Sequence, residues 1–460
     1  MSVPGLLPAG ARRFFIKIFL DRAGLWFTML TGPLVAVNFG YCSVFEMSPG
    51  RIMLKVDDDP QRVGLCPRRL AQIGPHFQKY IDEAKLSGVL TLVARKGQLA
   101  YLDVRGTMDI ESGKALAQDA IFRIYSMTKP VTSVAAMMLY EEGRFQLDDP
   151  ISHYLPAFAD ARVYTGGSAR KPETVAAERP ITFRDLFTHT SGLTYGFMGT
   201  SPVDAMYRLN ELDGGTTQLS TAEFMNRLAQ MPLQFHPGTR WNYSMSTDVL
   251  GHLVEVISGM ALDEFFRTRI FDPLGMVDTG FSIPARDADR LTTNYSRRKD
   301  GSLHVADAPK TSRYLKQRAF LSGGGGLAST AADYLRFSSM LLNKGELDGA
   351  RLLGRKTVDY MTCNHLPSGG DLTSMGQPVF SETSYDGIGF GLGFSVMLDP
   401  AKAQVVGTPG EYAWGGMAST MFWVDPREEM IGMLLTQLMP SSSYPLRREM
   451  KVLSYQALTD

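Results

Sequence analysis

The sequence predicts a discontinuous α/β unit with a helical block set into it. Two observations carry this reading. Short β-rich runs lie near both ends of the chain, with helical periods between them and flanking them. That order (helix, strands, helical block, strands, helix) fits one α/β unit interrupted by an insertion. Hydrophobic residues make up 44% and charged residues 20% of 460, as expected of a globular chain with a sizeable core. The boundaries place an apolar segment at 1–53 and the body of the chain at 54–460. Within the body a helical subdomain at about 148–315 separates the α/β parts 54–147 and 316–460.

The first segment stands apart. Arg12, Arg13, Lys17 and Arg22 precede an uncharged stretch, residues 23–45. About 20 apolar residues span a bilayer as a helix. The stretch reads as an export signal or anchor, its basic side cytoplasmic and the body in the cell envelope or at the membrane. Gly24, Gly32, Pro33, Asn38 and Gly40 dilute it, and the alternative is translation from Met47 or Met53, which leaves a cytoplasmic chain.

The body is ordinary in pattern. Residues 68–84 carry Leu70, Ile73, Phe77, Tyr80 and Ile81 at helical spacing, with Gly74-Pro75 as the expected break. Residues 89–94 and 99–104 are β-rich and flank Lys96-Gly97-Gln98, which predicts a hairpin. Residues 126–142 predict an amphipathic helix closed by Gly143. Residues 165–168 and 212–215 read as loops, and the glycine run 323–326 marks a sharp transition. Residues 390–397, 419–424 and 430–437 read as strands, and a helix follows from Leu446.

Composition excludes several functions. Lys plus Arg and Asp plus Glu are 47 each, so no broad attraction for nucleic acid exists. Cys42, Cys66 and Cys363 are too few and too scattered for a disulfide framework, and the seven histidines form no metal-binding cluster. No Gly-x-Ser-x-Gly elbow and no phosphate-binding loop occur. No metal or cofactor is expected.

Ser-x-x-Lys occurs three times. On a helix this spacing puts hydroxyl and amine on one face, where the amine can act as a base if burial or a neighbouring cation keeps it neutral. Ser168–Lys171 and Ser296–Lys299 lie in loop-like surroundings. Ser126-Met-Thr-Lys129 follows a β-like run ending in Tyr125 and opens an apolar helix, where the helix dipole favours a developing negative charge. Tyr243-Ser244 precedes a second helical period, and its phenol is placed to exchange a proton with a nearby hydroxyl. Trp414-Gly415-Gly416-Met417 precedes a strand-like run, where glycines allow a ligand to approach the backbone. Alone, the Ser-x-x-Lys reads first as a helix cap with a surface lysine and Tyr243 as a packed tyrosine, and the glycine pair also reads as a bulged strand.

In this order the three motifs resemble those of the serine β-lactamase and penicillin-binding-protein superfamily, most of all class C β-lactamases and family VIII carboxylesterases. The phrases Leu186-Phe-Thr-His-Thr-Ser-Gly-Leu193, His236-Pro-Gly-Thr-Arg-Trp-Asn-Tyr243 and the run from Gly323 to Tyr334 are also similar. The likeness covers roughly 62–455. It implies an antiparallel sheet flanked by helices, a helical domain beside it, and an active site in the cleft between. It implies Ser126 as the acyl-accepting nucleophile, with Lys129 and Tyr243 as proton-transfer groups. An oxyanion would sit between the backbone N–H groups of Ser126 and Met417. Tyr125, Met245, Trp414, Gly415 and Gly416 would face the substrate.

Two departures bear on the substrate. Met245 stands where the family usually has Asn, and Trp414 where it usually has Lys or His. Losing a polar contact to an anionic ligand costs about 1.5–3 kcal/mol. An ester hydrolase for short- to medium-chain acyl esters is therefore expected. The alternatives are a β-lactamase or D-Ala-D-Ala carboxypeptidase, and a non-catalytic scaffold. Loops at 195–206 and 367–385 are candidates to frame an apolar, lipase-like cleft. His189 is expected to be structural.

Overall fold

An eight-stranded antiparallel sheet organises the chain, and it is drawn from both ends of the sequence. In spatial order the strands are Ile388–Phe390, Ser395–Met397, Tyr412–Gly415, Met421–Asp425, Met430–Leu435, Gly88–Arg95, Gln98–Asp109 and Lys114–Ala115. The junction of the two ends is the pairing of Met430 with Arg95 and of Leu435 with Leu90. The computed structural model describes residues 45–48, 51–57, 59–376 and 385–460, and its body forms one compact unit.

Both faces of the sheet are covered, so its central strands are buried at every position and mostly apolar rather than alternating. Leu90, Leu92, Phe422, Val424, Ile431 and Met433 point into the larger core. Val89, Val93, Met421, Trp423, Met430 and Leu434 point to the other side, against Ile73 and Phe77 of one helix and Leu446 and Met450 of the last. The predicted hairpin forms, with Lys96 and Gly97 at φ 49° and 74° in its two-residue turn.

Several expectations need correction. The early helix breaks after Leu70, giving Pro67–Leu70 and Ile73–Asp82; Pro75 lies in the first turn of the second, where its missing N–H is harmless. The helix Thr128–Glu141 is not amphipathic: every residue from Thr128 to Leu139 is buried. It fills the space between sheet and helical block. Residues 390–397 are not one strand, because the chain turns back through Gly391–Gly393 between two short strands. Residues 162–176 form a hairpin, Arg162–Ser168 with Lys171–Ala176, whose exposed strands lack the alternation that would announce them. The region 148–315 holds helices such as Pro202–Leu209, Thr221–Ala229 and Ser246–Ser258, alongside that hairpin and another, Asn294–Arg297 with Leu303–Asp307.

Among the described residues no helix is long and apolar enough to cross a membrane. The signal-or-anchor stretch lies outside the described residues as far as Val44.

Candidate active site

Ser126 sits at the entrance of the buried helix. Tyr125, directly before it, is held at φ 43°, a conformation that side-chain-bearing residues adopt only under constraint. A tight turn, Tyr125–Met127, follows and leads into Thr128–Glu141. The turn keeps Ser126 partly exposed while Lys129, one turn on, is 2% exposed. The other two Ser-x-x-Lys copies fall on hairpins at the surface, at Ser168–Lys171 and on the strand Asn294–Arg297.

The Lys129 ammonium has three acceptors for its three N–H groups. They are Ser126 Oγ at 3.4 Å, the Tyr195 hydroxyl at 3.0 Å and the Gly324 carbonyl at 2.7 Å. Tyr243 arrives from a segment 117 residues later and donates its hydroxyl hydrogen to Ser126 Oγ at 2.5 Å. Its ring lies 4.5 Å from Lys129 Nζ. Ser126, Lys129 and Tyr243 thus form one contact cluster. Lys129 supplies a cation beside a hydroxyl that a phenol already touches, which is the arrangement proton exchange at Ser126 Oγ requires.

Two partners escaped the sequence. Tyr195 donates to Asp248 Oδ2 at 3.3 Å, and Asp248 Oδ1 accepts from Ser322 Oγ at 2.5 Å and from the Gly324 N–H at 3.1 Å. Burial, with Asp248 and then Tyr243 beside it, pushes the Tyr195 phenol well above its usual value. Burial also raises the Asp248 carboxyl, against the opposing pull of Lys129. The glycine run explains itself here. A Cβ on Gly324 would come within 2.4 Å of Asp248 Oδ2, so only glycine lets this backbone reach both Asp248 and Lys129. An unexplained Gly-rich run between helical and strand-like segments was the available signal.

The strand Tyr412–Gly415 forms the facing wall. A Cβ on Gly416 would lie 2.3 Å from Thr420 Oγ1 and 2.4 Å from the Ile124 carbonyl, so glycine brings this strand against the turn that carries Ser126. The Gly416 N–H bonds the Thr420 carbonyl at 2.9 Å. The Met417 N–H has no acceptor among the described residues. Arg447 braces the same turn by donating to the Gly416 carbonyl at 2.7 Å. Trp414 packs on Tyr243 with ring centres 5.6 Å apart.

These residues open on a single cleft of about 1320 Å³, lined by Tyr125, Ser126, Tyr243, Met245, Trp414 and Met417 together with both glycines. Tyr195, Phe197 and Tyr385 line it too, while residues 377–384 lie outside the described ones. His189 takes no part in the contacts of Ser126. It is 1% exposed, and its Nδ1 accepts from the Ser244 N–H at 3.3 Å. Burial, then Lys129, pushes its pKa well below the usual value. Among the described residues no group of His, Cys, Asp and Glu is arranged to hold a metal ion.

Comparison with known proteins agrees with this architecture. The family model described as Beta-lactamase matches residues 75–457. Esterase EstB of Burkholderia gladioli is 31% identical over 404 residues, covering 82% of this chain and 93% of its own. Protein Rv1367c of Mycobacterium tuberculosis is 36% identical over 372 residues, covering 80% and 90%. The structure of EstCE1, titled a hydrolase with promiscuous acyltransferase activity, superposes with a TM-score of 0.72 at 27% identity, covering 86% of this chain and 99% of EstCE1. Sequence, fold and family model concur that the chain belongs to the β-lactamase family and is a serine hydrolase of that superfamily.

Proposed function

We propose that the cleft hydrolyses short- to medium-chain acyl esters through an ester formed on Ser126. The observation that carries this is the Ser126 hydroxyl held between Tyr243 and Lys129 at the floor of the cleft. Ser126 Oγ bonds to the acyl carbon as its proton passes to Tyr243 in its phenolate form, with the Lys129 ammonium beside the phenol offsetting that charge. The negative charge that develops on the acyl oxygen falls to the N–H groups of Ser126 and Met417. Collapse breaks the C–O bond, and the departing alkoxide receives the proton back. Water then attacks the Ser126 ester by the same route, releasing the acid. No step calls for a metal or organic cofactor.

The choice of ester over β-lactam rests on Met245 and Trp414. Met245 and Trp414 both line the cleft and Trp414 packs against Tyr243, so both put apolar groups beside the nucleophile. Neither supplies the polar contact an anionic lactam or peptide terminus would need at these positions. The exposed Phe197 ring, stacked on Tyr195 at 4.7 Å, extends the apolar wall toward solvent and suits acyl chains. Long-chain, lipase-type turnover is the outer limit of this reading.

The test is hydrolysis of p-nitrophenyl butyrate by the full chain, with Ser126→Ala beside it. Loss of turnover in the variant is expected. Equal rates in two folded proteins would reject the reading. Cephalosporin turnover more efficient than that of simple esters would shift it to β-lactamase or peptidase. A folded protein that never takes a fluorophosphonate label on Ser126 would make it a scaffold.

A further inference from the structure

The same cleft contains a feature that ester hydrolysis alone does not use. Arg313 and Arg318 line it together with Tyr125, the residue before Ser126. Both are half-buried, and both guanidinium groups converge on one loop. Arg313 Nη1 donates to the Gly215 carbonyl at 2.5 Å. Arg318 donates to the Gly215 carbonyl at 2.8 Å and to the Thr217 carbonyl at 3.3 Å. Arg313 also lies over the Tyr314 ring at 5.4 Å. The backbone therefore fixes two like charges side by side.

Asp307 and Asp213 act on Arg313 and Arg318 only at longer range. Among the described residues neither guanidinium has a carboxylate within 4.0 Å. The charges nearby are otherwise engaged. Asp307 pairs with Arg123 at 2.6 Å, Glu211 with Arg227 at 3.4 Å, and Arg208 is spent on the Gly196 carbonyl. Asp213 accepts from Gly215 N at 2.8 Å and Thr216 Oγ1 at 3.2 Å within its own loop. Burial and then the neighbouring Arg313 lower the Arg318 pKa, while against burial Tyr314, Tyr125 and Asp307 raise that of Arg313. Half-buried guanidinium pairs without a directly bonded carboxylate suit a planar anion, whose two oxygens match their forked donors.

We propose that Arg313 and Arg318 form an anion subsite, and that the favoured substrates are esters bearing a free carboxylate remote from the scissile bond. This rests on the reading of Ser126 as nucleophile. The apolar pair Met245 and Trp414 lies by Tyr243, whereas the arginines lie by Tyr125, so one ester can use both surfaces. The Tyr125 phenol sits within the field of Arg313 and accepts from Asn294 Nδ2 at 3.0 Å, marking the passage from subsite to nucleophile.

The test compares mono-p-nitrophenyl adipate with p-nitrophenyl hexanoate, which differ by one terminal carboxylate. The full-length protein is expected to prefer the adipate in kcat/KM. Arg313→Gln and Arg318→Gln are each expected to lower the adipate-to-hexanoate ratio about tenfold, the scale of a lost charge-assisted contact. On the unmutated protein, free adipate is expected to inhibit hexanoate hydrolysis competitively, and 1,6-hexanediol to inhibit far less. An unchanged ratio in both variants, or equal inhibition by adipate and diol, overturns the subsite. Turnover of both esters by Ser126→Ala would instead overturn the nucleophile. Calorimetric binding of adipate to Ser126→Ala, abolished by Arg313→Gln in that background, would uphold the subsite independently, and its absence would refute it.

Discussion

Tyr195 stands between a cation and a carboxylate, accepting from Lys129 Nζ at 3.0 Å and donating to Asp248 Oδ2 at 3.3 Å. Lys129 is thereby held on a hydrogen-bonded arm that ends in a fully buried acid. Removing the hydroxyl leaves an N–H of Lys129 without its acceptor and Asp248 without one donor, at about 1–3 kcal/mol for a buried group. Tyr195→Phe is expected to lower kcat for p-nitrophenyl butyrate about tenfold or more with KM little changed, since the arm positions Lys129 rather than the ester. Asp248→Asn should act in the same direction. A loss confined to KM would assign Tyr195 to the substrate wall instead.

The origin of this arm also shows how far the sequence could be read. Ser126 and Lys129 are three residues apart, on a turn and the helix it opens, so local spacing announced them. Tyr243 is 117 residues from Ser126, and only the resemblance joined the two. Tyr195 and Asp248 sit in unremarkable surroundings, and their role exists only because Gly324 lets three segments meet; packing at that distance leaves no periodic trace. The same holds for strands. The central ones were legible because they are mostly apolar, whereas the 162–176 hairpin is exposed and polar, and its residues 165–168 read as a loop. In 390–397 a turn at Gly391–Gly393 hides inside an apolar run.

Gly416 tests the facing wall. A Cβ there would stand 2.3 Å from Thr420 Oγ1 and 2.4 Å from the Ile124 carbonyl oxygen. Gly416→Ala must push the strand away from the Ser126 turn and carry the Met417 N–H with it. Loss of one oxyanion donor costs about 10²–10³ in kcat. A drop of that order is expected in the variant, with a lower melting temperature. Retained kcat would place the oxyanion elsewhere.

His189 separates this site from a serine–histidine mechanism. Removing a triad histidine costs about 10⁶-fold in kcat. His189 bonds the Ser244 backbone and packs 5.0 Å from the Tyr243 ring, so its work is to hold that segment. His189→Gln, whose amide oxygen can accept the same N–H, is expected to keep most of the activity and to lose about 1 kcal/mol of stability. Measurement of kcat beside urea unfolding decides between the two.

A pH effect on stability follows from Asp333. This carboxyl lies at the start of the helix Ala331–Leu342 and is 1% exposed. It accepts from the Asp278 N–H and Thr279 Oγ1, each at 2.8 Å. Burial, the dominant cause, outweighs those bonds and pushes its pKa up to about 7. An acid held above its unfolded value of about 3.9 keeps its proton longer in the folded chain than in the unfolded one. The fold therefore gains from this group at low pH and loses the gain as pH rises from about 4 to about 7, by up to roughly 4 kcal/mol at 1.36 kcal/mol per unit. Above that window the loss is constant. Asn cannot ionise and its amide oxygen can accept both bonds, so Asp333→Asn should remove this part of the slope. Urea unfolding of both proteins at pH 5 and pH 8 reads it directly. Stability that falls equally in the two over that range would place the titrating group elsewhere.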